Sequence, residues 1–232
     1  MSRAPAVLVL AGLDPSGGAG LLADAEAVRA MGARPLCVAT ALTVQTTRAA
    51  RRYESVAPSL VEECARALLE EEDVRAVKIG MVGNAANAAA IRSLLPRDLP
   101  VVVDPVLRAS SGASLFDGAP EALLQLATGA ILTPNIPEAE LLLEGPADAA
   151  LLLAKGPSAV LLKGGHGQGD PVDILATPQG TTRFQSPRIP GTRRGTGCRL
   201  ASALAASLAR GLPLLEAVSQ ARDHVRRYLQ AP

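Results

Sequence analysis

Two alternating periods along the chain constrain its fold more than any other feature. Short, continuously apolar runs recur, separated by helical patterns. "AVLVLAG" (6–12), "PLCVATALTVQ" (35–45), "AVKIGMV" (76–82), "LPVVVDPV" (99–106), "AILTPN" (130–135) and "AVLLKGG" (159–165) read as strands. "LLADAEAVRAMG" (21–32) reads as a helix closed by Gly32, and "SLVEECARALLEE" (59–71) as a second helix. Two more helices, "CRLASALAASLARG" and "LPLLEAVSQARDHVRRYL", finish the chain. Strands that are apolar throughout are covered on both faces. Interleaved with helices, they predict an α/β fold of three αβα layers around a mostly parallel sheet. Alternation and turn residues in "DPVDILATPQGTTRFQSPRI" (170–189) predict a small hairpin. No repeat or linker divides the 232 residues, so a single domain, 1–232, is expected.

Composition excludes several function classes. Hydrophobic residues make up 48% and aromatics 2%, with no Trp, so the core is built from Leu, Val, Ile and Ala. The net charge is +1 and no basic stretch carries interleaved aromatics, which argues against a nucleic-acid platform. Cys37, Cys64 and Cys198 are odd in number and far apart. They fit neither a disulfide framework nor a zinc site, and a reducing cytoplasm is the expected compartment. "MSRAPAVLVLAGL" places Arg3 before an apolar run, as a secretory leader does, but the run continues into strand, loop and helix. No apolar stretch approaches the roughly 20 residues of a membrane span, so no membrane partner is expected.

Ligands in such folds bind beyond the carboxyl ends of the strands. After the first strand comes "GLDPSGGAG" (12–20), where glycines such as Gly12 let a ligand approach the backbone. Gly18 and Ala19 stand where a Walker loop needs Lys and Ser/Thr, and the G-x-G-x-x-G pattern is also missing. Asp14 either closes a turn or meets a substrate hydroxyl. Gln45 offers donors and an acceptor to a heteroaromatic ring edge, or simply ends a strand in solvent. Asp104 directly follows three valines and needs a metal ion or an Arg as partner. Asn135 and Glu138, three apart at a helix start, suit a Mg²⁺ water shell or a capping box. Lys163 ends an apolar strand and suits a phosphate tail, whereas His166 reads as a loop residue.

"GTGC" (195–198) opens the penultimate helix. A helix N-terminus offers unpaired N–H groups and a positive dipole end. Gly195, Thr196 and Gly197 let those groups converge into an anion hole for a transferring phosphoryl group. The same field lowers a thiol pKa, which would make Cys198 a proton acceptor. The alternative is a small cysteine packing a helix start. Cys37 and Cys64, on a strand and a helix by pattern, are expected to react slowly.

Seven stretches in order carry a resemblance. They are "DPSGGAG" (14–20), "ALTVQTT" (41–47), "VKIGMV" (77–82), "VVVDPV" (101–106), "ILTPNIPEAELLL" (131–143), "VLLKGGH" (160–166) and "GTGC" (195–198). Together they resemble the hydroxymethylpyrimidine/phosphomethylpyrimidine kinases of thiamine biosynthesis, within the ribokinase-like superfamily. The resemblance implies transfer of the ATP γ-phosphate to the hydroxymethyl group of an aminopyrimidine, then a second phosphorylation. It implies that Asp14, Gln45 and Met81 line the pyrimidine pocket with Gly12 and Val106 beside them, and that Cys198 is the base. It also implies that Gly195, Thr196 and Gly197 form the anion hole and that Asp104 and Glu138 act through Mg²⁺. Asn135 and Lys163 would lie near the nucleotide, and the protein would be a homodimer. The chain departs from the family pattern at Leu13 and Pro15, at Leu107 and Ser110 after "DPV", and at Arg194, where a His commonly precedes "GTGC". Pyridoxal kinases share "GTGC" and are the rival reading, followed by a non-catalytic binding protein on the same fold. The intact set Asp104, Asn135, Glu138, Lys163 and Cys198 argues against the latter.

Overall fold

A computed structural model describes residues 4–109, 112–165 and 169–231. His166, Ser110 and Ser111 fall outside these residues. The first half contains β1 (Ala6–Leu13), α1 (Gly20–Ala30), β2 (Arg34–Gln45), β3 (Ala50–Ser55), α2 (Pro58–Glu71), β4 (Val74–Ile79), β5 (Gly83–Asn84), α3 (Ala85–Leu94) and β6 (Val101–Val103). The second half contains β7 (Phe116–Asp117), α4 (Glu121–Leu126), β8 (Ile131–Leu132), α5 (Ile136–Leu143), α6 (Ala149–Leu153), β9 (Ala159–Leu162), β10 (Val172–Thr177), β11 (Gly180–Gln185), α7 (Thr196–Ala209) and α8 (Leu214–Gln230).

Nine strands form one sheet in the order β11-β10-β9-β8-β6-β4-β1-β2-β3. β2, β1, β4, β6, β8 and β9 are mutually parallel, and β3, β10 and β11 close the two edges antiparallel. The expected hairpin is β10–β11. β3 went unforeseen because "ARRYES" is mostly polar, with half of its residues exposed and none buried. It pairs antiparallel with Ala41–Gln45, on the edge of β2 away from β1.

Burial follows the apolar runs. One core packs α2 to α6 on one face of the sheet, and a second packs α1, α7 and α8 on the other. These are the three expected layers. The chain turns from β1 to β2 on one side and reaches β4 on the other, so the order reverses at β1. That reversal opens a crevice at the strand carboxyl ends, and α7 points its N-terminus into the same region.

Candidate active site

Gly12, near the end of β1, lies against Met81. A Cβ on Gly12 would come within 2.7 Å of the Met81 Sδ, so a side chain there would push the Met81 thioether aside. Met81 packs with Ala41 and Leu115, and Val106 and Tyr53 join this small apolar cluster. Gly12, Met81 and Val106, expected to line one pocket, therefore stand together.

Asp14 corrects one expectation. It is 2% exposed, yet five donors reach its carboxylate. Ser16 N–H (2.9 Å) and Ser16 Oγ (2.7 Å) bond Oδ1. Ala19 N–H (3.1 Å), Gln45 Nε2 (2.8 Å) and Arg194 Nη2 (3.2 Å) bond Oδ2. A carboxylate has about four acceptor sites. Asp14 is thus a saturated hub, which favours the turn reading over direct contact with a substrate hydroxyl. Gln45 remains at the crevice with its amide nitrogen engaged, and no donor among the described residues reaches its carbonyl oxygen.

Gly195 caps α7 with a φ of 75°, a left-handed conformation suited to glycine. A side chain there would strike Gly18 O at 2.3 Å, so α7 begins against the 14–20 loop. Thr196 and Gly197 form its first turn, both half-buried. The half-buried Cys198 follows, and the Gly20 N–H at the start of α1 hydrogen-bonds its sulfur. The expectation of a lowered thiol pKa is overturned. Burial first, then the Asp24 and Asp104 carboxylates, push Cys198 up to about 12, outweighing the relief from Lys78 and the Gly20 N–H. At neutral pH the group is a thiol. Cys37 and Cys64 are both exposed, and burial of its thiol, then Asp24, pushes Cys37 above its ordinary value.

Beyond α7 lies a cation shared by two acids. Lys163 Nζ bonds Asp104 Oδ1 at 2.7 Å and lies 4.0 Å from Glu138 Oε2. A Cβ on Gly197 would be 3.1 Å from Lys163 Nζ and 3.8 Å from Asp104 Oδ2, so the first turn of α7 rests on this pair. Burial pulls the Lys163 ammonium down, but Asp104 and Glu138 outweigh it and hold the group above its ordinary value. Burial also pushes Glu138 up to about 7, against the pull of Lys163 and with a further push from Asp104. Asn135 and Glu138 form the capping box anticipated as the alternative. Asn135 Oδ1 accepts the Glu138 N–H at 2.9 Å, and Glu138 Oε2 accepts the Asn135 N–H at 2.8 Å. No group of three or more His, Cys, Asp or Glu able to hold a metal exists among the described residues. Asp104 and Glu138 nevertheless fit Mg²⁺ that is also held by phosphates. They are hard oxygen donors, and two carboxylates against one ammonium leave negative charge to neutralise.

Two groups escaped the sequence reading. Lys78 Nζ bonds Asp24 Oδ2 at 2.7 Å, and Ser202 Oγ bonds Asp24 Oδ1 at 2.8 Å, all three fully buried behind the first turns of α7 and α1. A lysine inside the apolar run "AVKIG" was the available signal, since a buried charge demands a partner. Arg194 was noted only as a departure, and its reach to Asp14 and Thr46 depends on the folded chain.

Comparison with known proteins agrees with this geometry. The family profile described as phosphomethylpyrimidine kinase matches residues 14–232. A thiamine biosynthesis bifunctional protein from Geobacter sulfurreducens is 41% identical over 96% of this chain, which spans only 49% of that protein's length. A hydroxymethylpyrimidine/phosphomethylpyrimidine kinase from Rhizobium meliloti is 38% identical, covering 97% of this chain and 90% of the relative. The crystal structure of a phosphomethylpyrimidine kinase from Clostridium difficile superposes with a TM-score of 0.82 at 33% identity, over 97% of this chain and 99% of the other. A pyridoxal kinase from Staphylococcus aureus in complex with AMP-PCP gives a TM-score of 0.84 at 26% identity, over 95% and 86%. With the ordered strand-end residues gathered at one crevice and the profile covering nearly all of the sequence, the chain belongs to the phosphomethylpyrimidine kinase family and is a phosphotransferase.

Proposed function

We propose that this protein transfers the γ-phosphate of ATP to the hydroxymethyl group of an aminopyrimidine and then phosphorylates the resulting monophosphate, acting as one kinase domain. The observation that carries the reading is the position of α7. Its first turn stands between the 14–20 loop, whose Asp14 holds Gln45, on one side and the Lys163–Asp104 pair on the other. The acceptor ring rests against Met81 and Val106, with Gln45 at its edge. Lys163 and Asn135 face the nucleotide. The N–H groups of Gly195, Thr196 and Gly197 stabilise charge on the transferring phosphoryl group. Mg²⁺, held by Asp104 and Glu138 together with the phosphates, would neutralise phosphate charge. A bound complex of the Staphylococcus aureus pyridoxal kinase with an ATP analogue supports the choice of nucleotide.

The high thiol pKa shapes the proposed part of Cys198. A protonated sulfur takes no proton at neutral pH, so Cys198 orients the acceptor hydroxyl by hydrogen bonding. The loose transition state of phosphoryl transfer asks little early deprotonation of the protein. We also read the protein as cytoplasmic, supported by three free cysteines, and as a homodimer, supported by the exposed Leu42 and Val44 on β2. No helix among the described residues is long and apolar enough to cross a membrane.

A coupled ADP-release assay on hydroxymethylpyrimidine, its monophosphate and pyridoxal tests the reading. Hydroxymethylpyrimidine should have the higher kcat/KM, because a site built to hydrogen-bond a ring amine discriminates against rings without one. A preference for pyridoxal would overturn the acceptor assignment.

A further inference from the structure

Arg194 connects three separate segments. Its Nη1 bonds Thr46 O at 2.7 Å and Ser16 Oγ at 3.2 Å, and its Nη2 bonds Asp14 Oδ2 at 3.2 Å. Its own backbone is held from the other side, where Tyr228 Oη in α8 donates to Arg194 O at 3.1 Å. Among the described residues it is the only cation within ion-pair distance of the buried Asp14. These contacts bracket Gln45. The guanidinium grips the carbonyl of the residue that follows Gln45, and it shares Asp14 Oδ2 with the Gln45 side chain. A carboxylate accepts only, so the Gln45 NH₂ must face Asp14 and the Gln45 carbonyl oxygen must face away.

We propose that Arg194 is a positioning residue for acceptor specificity, fixing Gln45 with its carbonyl oxygen presented to an exocyclic amino group on the acceptor ring. The inference rests on the proposed pyrimidine acceptor and adds how that ring is told from one without an amine. A planar fork is needed, since one guanidinium must reach Thr46 O and Asp14 together. Lysine carries the charge but lacks the fork. Without Arg194, Asp14 keeps four donors and the loop keeps its turn. What is lost is the restraint on Gln45, because Thr46 O and one of the three donors on Oδ2 are released.

The test measures kcat and KM for hydroxymethylpyrimidine and for pyridoxal in wild type, Arg194→Met, Arg194→Lys, Gln45→Ala and the double variant Gln45→Ala/Arg194→Met, with melting temperatures as a check on folding. Arg194→Met should raise KM for hydroxymethylpyrimidine roughly tenfold, as expected for loss of a charged hydrogen bond. Its kcat should stay within about twofold, and KM for pyridoxal should hardly move. Arg194→Lys should recover part of the loss. In the Gln45→Ala background the Arg194 substitution should add nothing, since the group it positions is gone. Equal losses for both acceptors, a fall in kcat at constant KM, or additive effects in the double variant would each overturn the proposal. If wild type prefers pyridoxal, the acceptor assignment fails. The double-variant comparison, run on the preferred acceptor, then still decides whether Arg194 acts through Gln45.

Discussion

Two lysine–aspartate pairs flank the start of α7, each with a 2.7 Å contact, and they serve opposite ends. Lys78–Asp24 is sealed. Both side chains are 0% exposed, and Ser202 completes the carboxylate. Burial pulls the Lys78 ammonium down, but Asp24 beside it outweighs that and holds it above its ordinary value, while burial pushes the Asp24 carboxyl up. Lys163–Asp104 opens to the crevice at 13% and 3% exposure and has Glu138 as a second acid nearby. The contact is the same, so contact geometry does not separate scaffold from site. The difference is access. A sealed charge can only hold elements together, whereas a cation with surplus carboxylate and a path to solvent can receive phosphate and metal.

The comparison breaks most visibly by removing one lysine at a time. Lys78→Met strands Asp24 in the interior and should cost about 3–5 kcal/mol of stability, read by denaturant unfolding. A double variant, Lys78→Met/Asp24→Leu, should regain much of that. Lys163→Met should cost less stability than Lys78→Met, because the pair is partly open to the crevice, and should lower kcat by roughly 100-fold, the scale of losing one preorganised charge contact to a developing anion. A reversed pattern would assign the sealed pair to catalysis.

The thiol between the two pairs offers the next test. With its pKa pushed up to about 12, Cys198 is thiolate in roughly one molecule in ten thousand at pH 8. Mass-spectrometric mapping of iodoacetamide labelling should find the exposed Cys37 and Cys64 modified first. Cys198 labelling should climb about tenfold per pH unit up to pH 10 without a plateau. A plateau near pH 7 would mean a resting thiolate and restore Cys198 as a base. The smallest effect is expected at the outer acid. Glu138→Gln should keep the cap on α5, since Gln also completes a capping box. It should raise the Mg²⁺ concentration needed for half-maximal activity by about tenfold. Unchanged Mg²⁺ dependence would leave Glu138 with its cap alone.

Much of this architecture was legible from local pattern. Apolar runs without alternation require cover on both faces, and that requirement alone implies the layered parallel sheet and places Asp14, Gln45, Asp104, Asn135 and Lys163 at strand ends. The capping spacing of Asn135 and Glu138 was legible too, because a capping box is made within one turn. Conformational demands also show locally, as at Gly195 with its positive φ. What the sequence did not determine is which charges meet. Arg194 reaches Asp14 across 180 residues, and Ser202 reaches Asp24 across 178. The thiol pKa of Cys198 depends on how deeply the fold buries it and which carboxylates it brings near. Only the tertiary structure decided these, because electrostatic interactions depend on distance and burial in three dimensions, and neither is written in the local order of the chain.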